Sequence, residues 1–378
     1  MGWINTVLAQ PGLLPSSAPG LPGVSDGAIA WVDYDNDGDP DLLLCGRDAN
    51  GDPYTELLRN DSTSFPVDSS QSLQPLLLPA ADWADYDNDG DPDLILTGDK
   101  GGGQPFTQLY RNDAGTLTAV STVLPALMAG SANWADFDRD GDYDLLLTGY
   151  SRGEGYLGLV ARNDGNNSFA IYRDSLLFPG WSPGVAVGDY DGDTLPDIVI
   201  SGVRDDASAG TRVIHNEGNF QFSQAGELGP GFEFGSNSMA DLDGDGDFDF
   251  LSCGETSPLK TEVFSFQYGQ FQNRNVGLPG LAYGASAWGD FDGDGDPDIA
   301  VAGRGYAGDF TCVYRNDNGT FIPVATPSAM PRLYFAHLAW GDWNQDGFLD
   351  YAVCGQDKDD LPHTYIVTYI PAQQIFEP

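Results

Sequence analysis

Residues 83–94 read Trp83-Ala84-Asp85-Tyr86-Asp87-Asn88-Asp89-Gly90-Asp91-Pro92-Asp93-Leu94. The nine residues from Asp85 to Asp93 occur almost letter for letter from Asp33 to Asp41. Further copies begin at Asp136, Asp189, Asp241, Asp290 and Asp342. Successive starts lie 52, 51, 53, 52, 49 and 52 residues apart. So steady a period marks a repeat architecture, and it takes precedence over any domain count based on length.

The flanks of the loop follow the same plan from unit to unit. A stretch of small and apolar residues ending in an aromatic precedes it, such as Ala28-Ile29-Ala30-Trp31 or Ala285-Ser286-Ala287-Trp288. An apolar run ending in glycine follows it: Leu42-Leu43-Leu44-Cys45-Gly46, Leu94-Ile95-Leu96-Thr97-Gly98. A third stretch, such as Thr107-Gln108-Leu109-Tyr110-Arg111-Asn112, leads into a turn rich in Asn, Asp and Gly. A fourth begins with residues such as Thr320-Phe321-Ile322. No helical period is present, so each unit reads as four strands of about 4–6 residues.

The second strand is apolar on both faces and must be covered on both sides. A sheet with two buried faces sits between two similar sheets, and radial repetition of such sheets gives a β-propeller. A linear solenoid would need polar end caps, and the sequence has none. The expected fold is therefore all-β: a single seven-bladed β-propeller over residues 1–378, with four-stranded antiparallel blades and one loop per blade. The last unit stops just inside its fourth strand. Residues 1–20, which carry Trp3-Ile4-Asn5-Thr6-Val7-Leu8, are expected to complete the outer strand of the last blade and lock the ring.

Composition narrows the partners. Asp and Glu total 57 against 16 Lys and Arg, a net charge of −41. Nucleic acid and anionic membrane both demand a basic face, so both are excluded. Strong acidity can signal disorder, but 41% hydrophobic and 12% aromatic residues are ample for a core. No apolar run approaches the ~20 residues that span a bilayer. Cys45, Cys253 and Cys354 occupy one repeat position, held elsewhere by Thr97, Thr148, Ser201 and Ala302, which reads as a small buried slot holding free thiols.

The loop D-x-D-x-D-G-x-x-D has the chemistry of a calcium site. Calcium takes six to eight oxygens at about 2.3–2.6 Å from carboxylates, carbonyls and water. Positions 1, 3 and 5 supply carboxylates, Gly at position 6 allows the positive φ of the turn, position 7 offers its carbonyl, and the acid at position 9 closes the shell. The candidate ligands are Asp33, Asp35, Asp37, Asp39 and Asp41 in the first loop, and Asp85, Asp87, Asp89, Asp91 and Asp93 in the second. The third has Asp136, Asp138, Asp140, Asp142 and Asp144; the fourth has Asp189, Asp191, Asp193, Leu195 and Asp197. The fifth has Asp241, Asp243, Asp245, Asp247 and Asp249; the sixth has Asp290, Asp292, Asp294, Asp296 and Asp298. Asp342, Asn344, Asp346, Phe348 and Asp350 make the seventh. Two like unit charges ~4 Å apart cost about 4 kcal/mol at an effective dielectric of 20, which argues for a cation between them. An EF-hand would instead close with Glu at position 12 between helices.

About seven calcium ions are thus expected, bringing the net charge to about −27. Two loops depart from the pattern. The fourth places Thr194 where glycine should turn, and a β-branched residue at positive φ is strained. The seventh has the neutral donor Asn344 at position 3. These two are expected to bind calcium least well.

These motifs resemble the FG-GAP/VCBS repeats, which form the seven-bladed propeller at the head of integrin α-subunits and of many bacterial surface proteins. The run 83–94 is similar to the bacterial VCBS form. The resemblance covers nearly the whole chain and implies that the loop joins the first and second strands of each blade and binds calcium at positions 1, 3, 5, 7 and 9. The Gly-Ala-Pro element of the integrin type is absent, so an integrin-like ligand site is not implied. Some fungal lectins are similar in fold and repeat and bind sugars between blades. Some polysaccharide lyases also carry calcium-bearing propellers.

Three further columns recur. Trp31, Trp83, Trp134, Trp288 and Trp340 are expected to pack between blades. Arg59, Arg111, Arg162, His215 and Arg315, each followed by Asn, are expected to form salt bridges or hairpin contacts. The position-2 aromatics Tyr34, Tyr86, Phe137, Tyr190, Phe291 and Trp343 are expected to cover the metal from solvent. The three histidines, His215, His337 and His363, fall in no triad or metal motif, and no G-x-S-x-G, H-E-x-x-H or phosphate loop occurs. The reading leans against an enzyme. It favours an extracellular ligand-binding or adhesion module, monomeric as an isolated domain, with carbohydrate as the leading ligand class and a cell-surface protein as the other partner. The alternatives are a calcium-dependent polysaccharide lyase and a structural spacer. Ligand sites are expected away from the loops, in the channel mouth or between blades at the rim. Asn60, Asn166 and Asn318 head formal glycosylation sequons.

Overall fold

The computed structural model describes residues 20–177, 181–203, 209–228, 232–256, 258–324 and 332–377. They form seven antiparallel sheets whose strands follow one another in chain order from the inside outward. The innermost strands are Ser25–Val32, Leu77–Ala84, Met128–Ala135, Trp181–Gly188, Glu233–Ala240, Ala282–Gly289 and Tyr334–Gly341, eight residues each. Six sheets have four strands. The first has three, and there a single bridge from Leu58 to Val67 stands in the outer position. In the seventh sheet Ile375–Glu377 fills the outer position. The N-terminal segment expected there, residues 1–19, lies outside the described residues. Helix among the described residues is confined to one 3₁₀ turn, Ser175–Leu177, and no helix is long and apolar enough to cross a membrane.

The second strands explain why the sheets form a ring. Asp93–Asp99 is buried along its whole length, and Asp41–Arg47 through its first six residues. Leu42 and Leu44 face the seventh blade, in a cluster with Val24, Ala352, Cys354 and Ile366. Leu43 and Cys45 face the second blade, in a cluster with Leu94, Leu96 and Tyr110. Period-2 alternation thus feeds two seams from one strand. Each of the other seams holds a similar cluster. The four cysteines are free and buried, and burial pushes the Cys45 and Cys354 thiols up to about 12.

The innermost strands are longer than expected, because a β-bulge precedes the small-residue stretch in every blade. It falls between Ser25 and Ala28 in the first blade and between Tyr334 and His337 in the seventh. One bulge residue has positive φ: Asp26, Leu78, Ala129, Tyr283 and Phe335 lie at +46 to +51°. The next residue passes close to the second strand. A Cβ on Gly130 would sit 1.8 Å from the Thr148 carbonyl oxygen.

Tryptophan at the end of the innermost strand packs as expected. Trp340 Nε1 donates to the Ala287 carbonyl (3.3 Å), and its ring lies against Gly289, where a Cβ would approach to 2.8 Å. Trp31 closes the ring in the same way, donating to the Ala339 carbonyl (3.2 Å) and covering Gly341. The position-2 aromatics do not shield the loops from solvent; they sit in the seams. Phe291 is 1% exposed and touches Trp340, Tyr369 and Phe376. Position 2 lies where the strand has just ended and still follows its alternation, so the ring turns inward. Replacing Phe291 by Ala should cost about 3–5 kcal/mol, measured by chemical denaturation at fixed calcium.

Candidate functional site

Each loop joins the innermost strand to the second one and is shaped by its own acids. The position-1 carboxylate accepts two backbone N–H groups, from positions 5 and 6. In the second loop Asp89 N donates to Asp85 Oδ1 (2.9 Å) and Gly90 N to Asp85 Oδ2 (2.9 Å). The position-7 N–H donates to the position-5 carboxylate, as Asp91 N does to Asp89 Oδ1 (3.0 Å). All seven loops repeat these three bonds, from Asp37 N to Asp33 (3.0 Å) in the first to Phe348 N to Asp346 (3.1 Å) in the seventh. Position 6 has φ of +89 to +98° where it is glycine. Thr194 adopts +79° in the fourth loop, so its backbone is strained there as its side chain implied.

The closing acids Asp41, Asp93, Asp144, Asp197, Asp249, Asp298 and Asp350 are 0 or 1% exposed. Burial pushes the first six up to about 7 and Asp350 up to about 8. Position 3 is also raised in Asp35, Asp87, Asp138, Asp191 and Asp292, by burial first, with repulsion from neighbouring loop acids adding to it. Asp85, Asp87 and Asp93 each bring one oxygen to a common point, the three oxygens lying within 4.8 Å of one another. Equivalent trios form at Asp136, Asp138 and Asp144 and at Asp189, Asp191 and Asp197, and in the first loop Asp33, Asp35 and Asp37 converge from positions 1, 3 and 5.

Some of these oxygens have no protein partner. Asp41 Oδ2, Asp350 Oδ2, Asp35 Oδ1 and Asp292 Oδ1 are buried and accept no hydrogen bond. A buried acceptor left without a partner costs about 1–3 kcal/mol, more when charged. A hard divalent cation seated among oxygens satisfies them, and the donor set fits calcium.

The columns beside the loops divide sharply. Arg111, Arg162 and Arg315 pair with Asp113, Asp164 and Asp317 at 2.8, 2.7 and 3.0 Å, the salt bridges expected from the sequence. The Asn after each carries more of the structure, a role the sequence did not reveal. Asn112 is fully buried. Its N–H donates to Asp93 Oδ1 (2.7 Å), its Nδ2 donates to the Pro92 carbonyl (3.0 Å) and the Tyr34 carbonyl of the preceding blade (2.7 Å), and its Oδ1 accepts from Gly115 N (2.9 Å). Asn60, Asn163 and Asn216 make the same links to Trp343, Tyr86 and Phe137. Asn60 is 2% exposed and its amide is spent on these bonds, which closes that sequon to a glycan.

Position 7 has a second use. Asn36 Nδ2 donates to Asp91 Oδ1 (2.6 Å), Asn88 Nδ2 to Asp142 Oδ1 (2.7 Å), and Gln345 Nε2 to Asp39 Oδ1 (2.7 Å). These bonds join loops seven, one, two and three into a belt and place them on one face. In loops one, two and three the position-7 side chain thus bonds to the neighbouring loop, and its carbonyl is the group that could serve a cation.

The FG-GAP-like repeat model matches residues 85–147, 136–200 and 269–353, more than half of the chain. No curated protein sequence matches the chain. Among solved structures it is similar to an Agrocybe aegerita lectin described as recognising non-reducing terminal N-acetylglucosamine. The TM-score is 0.55 at 20% identity, covering 81% of each chain. Aleuria aurantia lectin in complex with alpha-methyl-L-fucoside aligns with a TM-score of 0.45 at 12% identity, over 82% of this chain and 99% of that one. A Thermus thermophilus protein described as a putative glucose dehydrogenase aligns with a TM-score of 0.42 at 14% identity, over 82% and 99%.

The contrast between the two columns is open to test. Asn112→Ala strands the carbonyls of Tyr34 and Pro92 in the interior and should cost about 3 kcal/mol. Arg111→Ala removes an exposed pair and should leave the denaturation midpoint unchanged within error.

Proposed function

The chain belongs to the FG-GAP-like repeat family, and on that premise we propose that it is a calcium-loaded, carbohydrate-binding propeller that works outside the cell. The observation that carries the calcium half is the set of buried carboxylate oxygens without partners in the loops, Asp41 Oδ2 and Asp350 Oδ2 above all. Aspartate-rich calcium loops of the EF-hand class bind at ~10⁻⁴–10⁻³ M in extracellular modules, and a similar affinity here would suit a compartment where calcium is plentiful. The metal's role is structural, because each loop's acids are occupied in holding their own turn and the seam beside it.

The carbohydrate half is supported by the shared architecture with the Agrocybe aegerita lectin and by small polar clefts at the rim. One of 250 Å³ lies between the third strand of the fifth blade and residues 275–280, which lead to the sixth. Lys260, Glu262, Asn273 and Asn275 line it. Another, of 180 Å³, lies between the sixth and seventh blades against Arg315, Tyr369 and Gln374. Both are smaller than the ~300–1,000 Å³ of drug-sized sites, a scale that suits one sugar ring. The first lies on the side away from the loops, where a sugar would meet neutral and paired polar groups instead of the acidic belt.

If each site has a dissociation constant ~0.1 mM, 2 mM calcium contributes about 1.8 kcal/mol per site. Six such sites would already give about 11 kcal/mol, within the ~5–15 kcal/mol stability of a typical domain. Chelator should lower the melting temperature by tens of degrees, and magnesium should rescue poorly because it dehydrates reluctantly. A melting curve unchanged by chelator, with metal loss confirmed by elemental analysis, would end the stabilising role. A glycan array probed with and without calcium tests the ligand class: calcium-dependent capture of defined terminal sugars is expected. Calcium-loaded protein that captures none would remove carbohydrate as the ligand.

A further inference from the structure

The fourth loop differs from the rest in a way that changes its chemistry. In the first, second, third and sixth blades the residue before the buried Asn is Arg59, Arg111, Arg162 or Arg315, a permanent cation that cannot donate a lone pair. The fifth and seventh blades have Ser265 and Thr368 at the equivalent place, next to the residues whose N–H groups bind Asp249 and Asp350. The fourth has His215. Its Nδ1 lies 3.1 Å from Asp197 Oδ1 and 3.4 Å from Asp191 Oδ2, and its Nε2 lies 3.9 Å from Asp193 Oδ2. One ligand atom each from His215, Asp191 and Asp193 fall within 4.8 Å of one another. The ring is four-fifths buried and held edge-on by Tyr190.

We propose that the fourth loop is a mixed nitrogen–oxygen site for a borderline divalent cation such as zinc, with His215, Asp191 and Asp193 as ligands, while the other six loops are oxygen-only calcium sites. Donor atoms each ~2.0–2.2 Å from one metal, at tetrahedral or octahedral angles, stand about 3.0–3.5 Å apart, the range His215 Nδ1 already keeps from Asp191 Oδ2 at 3.4 Å, while Asp193 brings its oxygen within the 4.8 Å span of the same trio. Imidazole suits zinc, copper, nickel and iron, whereas calcium takes oxygen. Thr194 at φ +79° strains the turn that a calcium shell would share, so calcium competes least well here. Three protein ligands leave positions for water, as three-ligand zinc sites do.

The inference rests on the loops being cation sites, and the test separates the two. Metal-free protein is loaded with zinc, dialysed against 2 mM calcium, and its zinc and calcium are counted by elemental analysis. Wild type should keep one zinc per chain beside its calcium. His215→Arg, which installs the residue of the neighbouring blades, should keep its calcium and lose the zinc. His215→Gln should weaken zinc by about tenfold or more in a calorimetric titration. Protein that holds calcium but no zinc overturns this inference alone. Zinc retained equally by His215→Arg overturns it too, and places the metal elsewhere. Protein that holds zinc through His215 but no calcium overturns the calcium reading and leaves this one standing; holding neither overturns both.

Discussion

A carboxylate driven fully out of water at the base of every loop is the constraint on which the rest of the molecule depends. Asp93 has no exposed surface and accepts N–H groups from Tyr86 and Asn112, so one side chain ties the loop to two strands of its own blade. Asn112 then reaches the Tyr34 carbonyl in the preceding blade. Loop, blade and seam are therefore one hydrogen-bonded unit, repeated around the ring. Burial drives these acids toward the neutral form. A cation seated in the loop would oppose that drive, and the calcium proposed for the loops would in this way couple metal to fold.

The ring is symmetric in plan and uneven in detail. Loops seven, one, two and three are bonded to each other through Asn36, Asn88 and Gln345. Loops four, five and six carry Gly192, Gly244 and Gly293 at that position, with no side chain to make the link. Loop four adds Thr194 at positive φ and His215 against its acids. The well-bonded sector also contains the seam between the first and seventh blades, where Trp31 meets Ala339 and Asn60 meets Trp343.

Reading outward from the aspartate loop made much of this legible. The sevenfold period, the two-faced second strand, the tryptophan at the seam, the free buried thiols and the strained Thr194 all follow from residue type and spacing. Residues whose chemistry looks generic were harder to read. An Asn after an Arg or His in a turn-rich region reads as hairpin punctuation, yet Asn60, Asn112, Asn163 and Asn216 fasten adjacent blades. Aromatics beside an acidic loop read as its cover, yet Tyr34 and Phe291 are 1% exposed in the seams. The bulge in each innermost strand left only a glycine, alanine or proline as a trace.

The sequence alone determined the repeat, its number, its strand pattern and the set of oxygens offered to a cation. Those properties are local, fixed by side-chain period and by the turn chemistry of nine consecutive residues. Tertiary structure decided which neighbour each residue meets across the seam. Pairs such as Asn112 with Tyr34, Gln345 with Asp39, and His215 with Asp191 and Asp193 join residues that no local period brings together. Their contact depends on the angle between stacked twisted sheets and on ring closure. Those are set by how seven cores pack against one another, a sum over the whole chain that no single repeat contains.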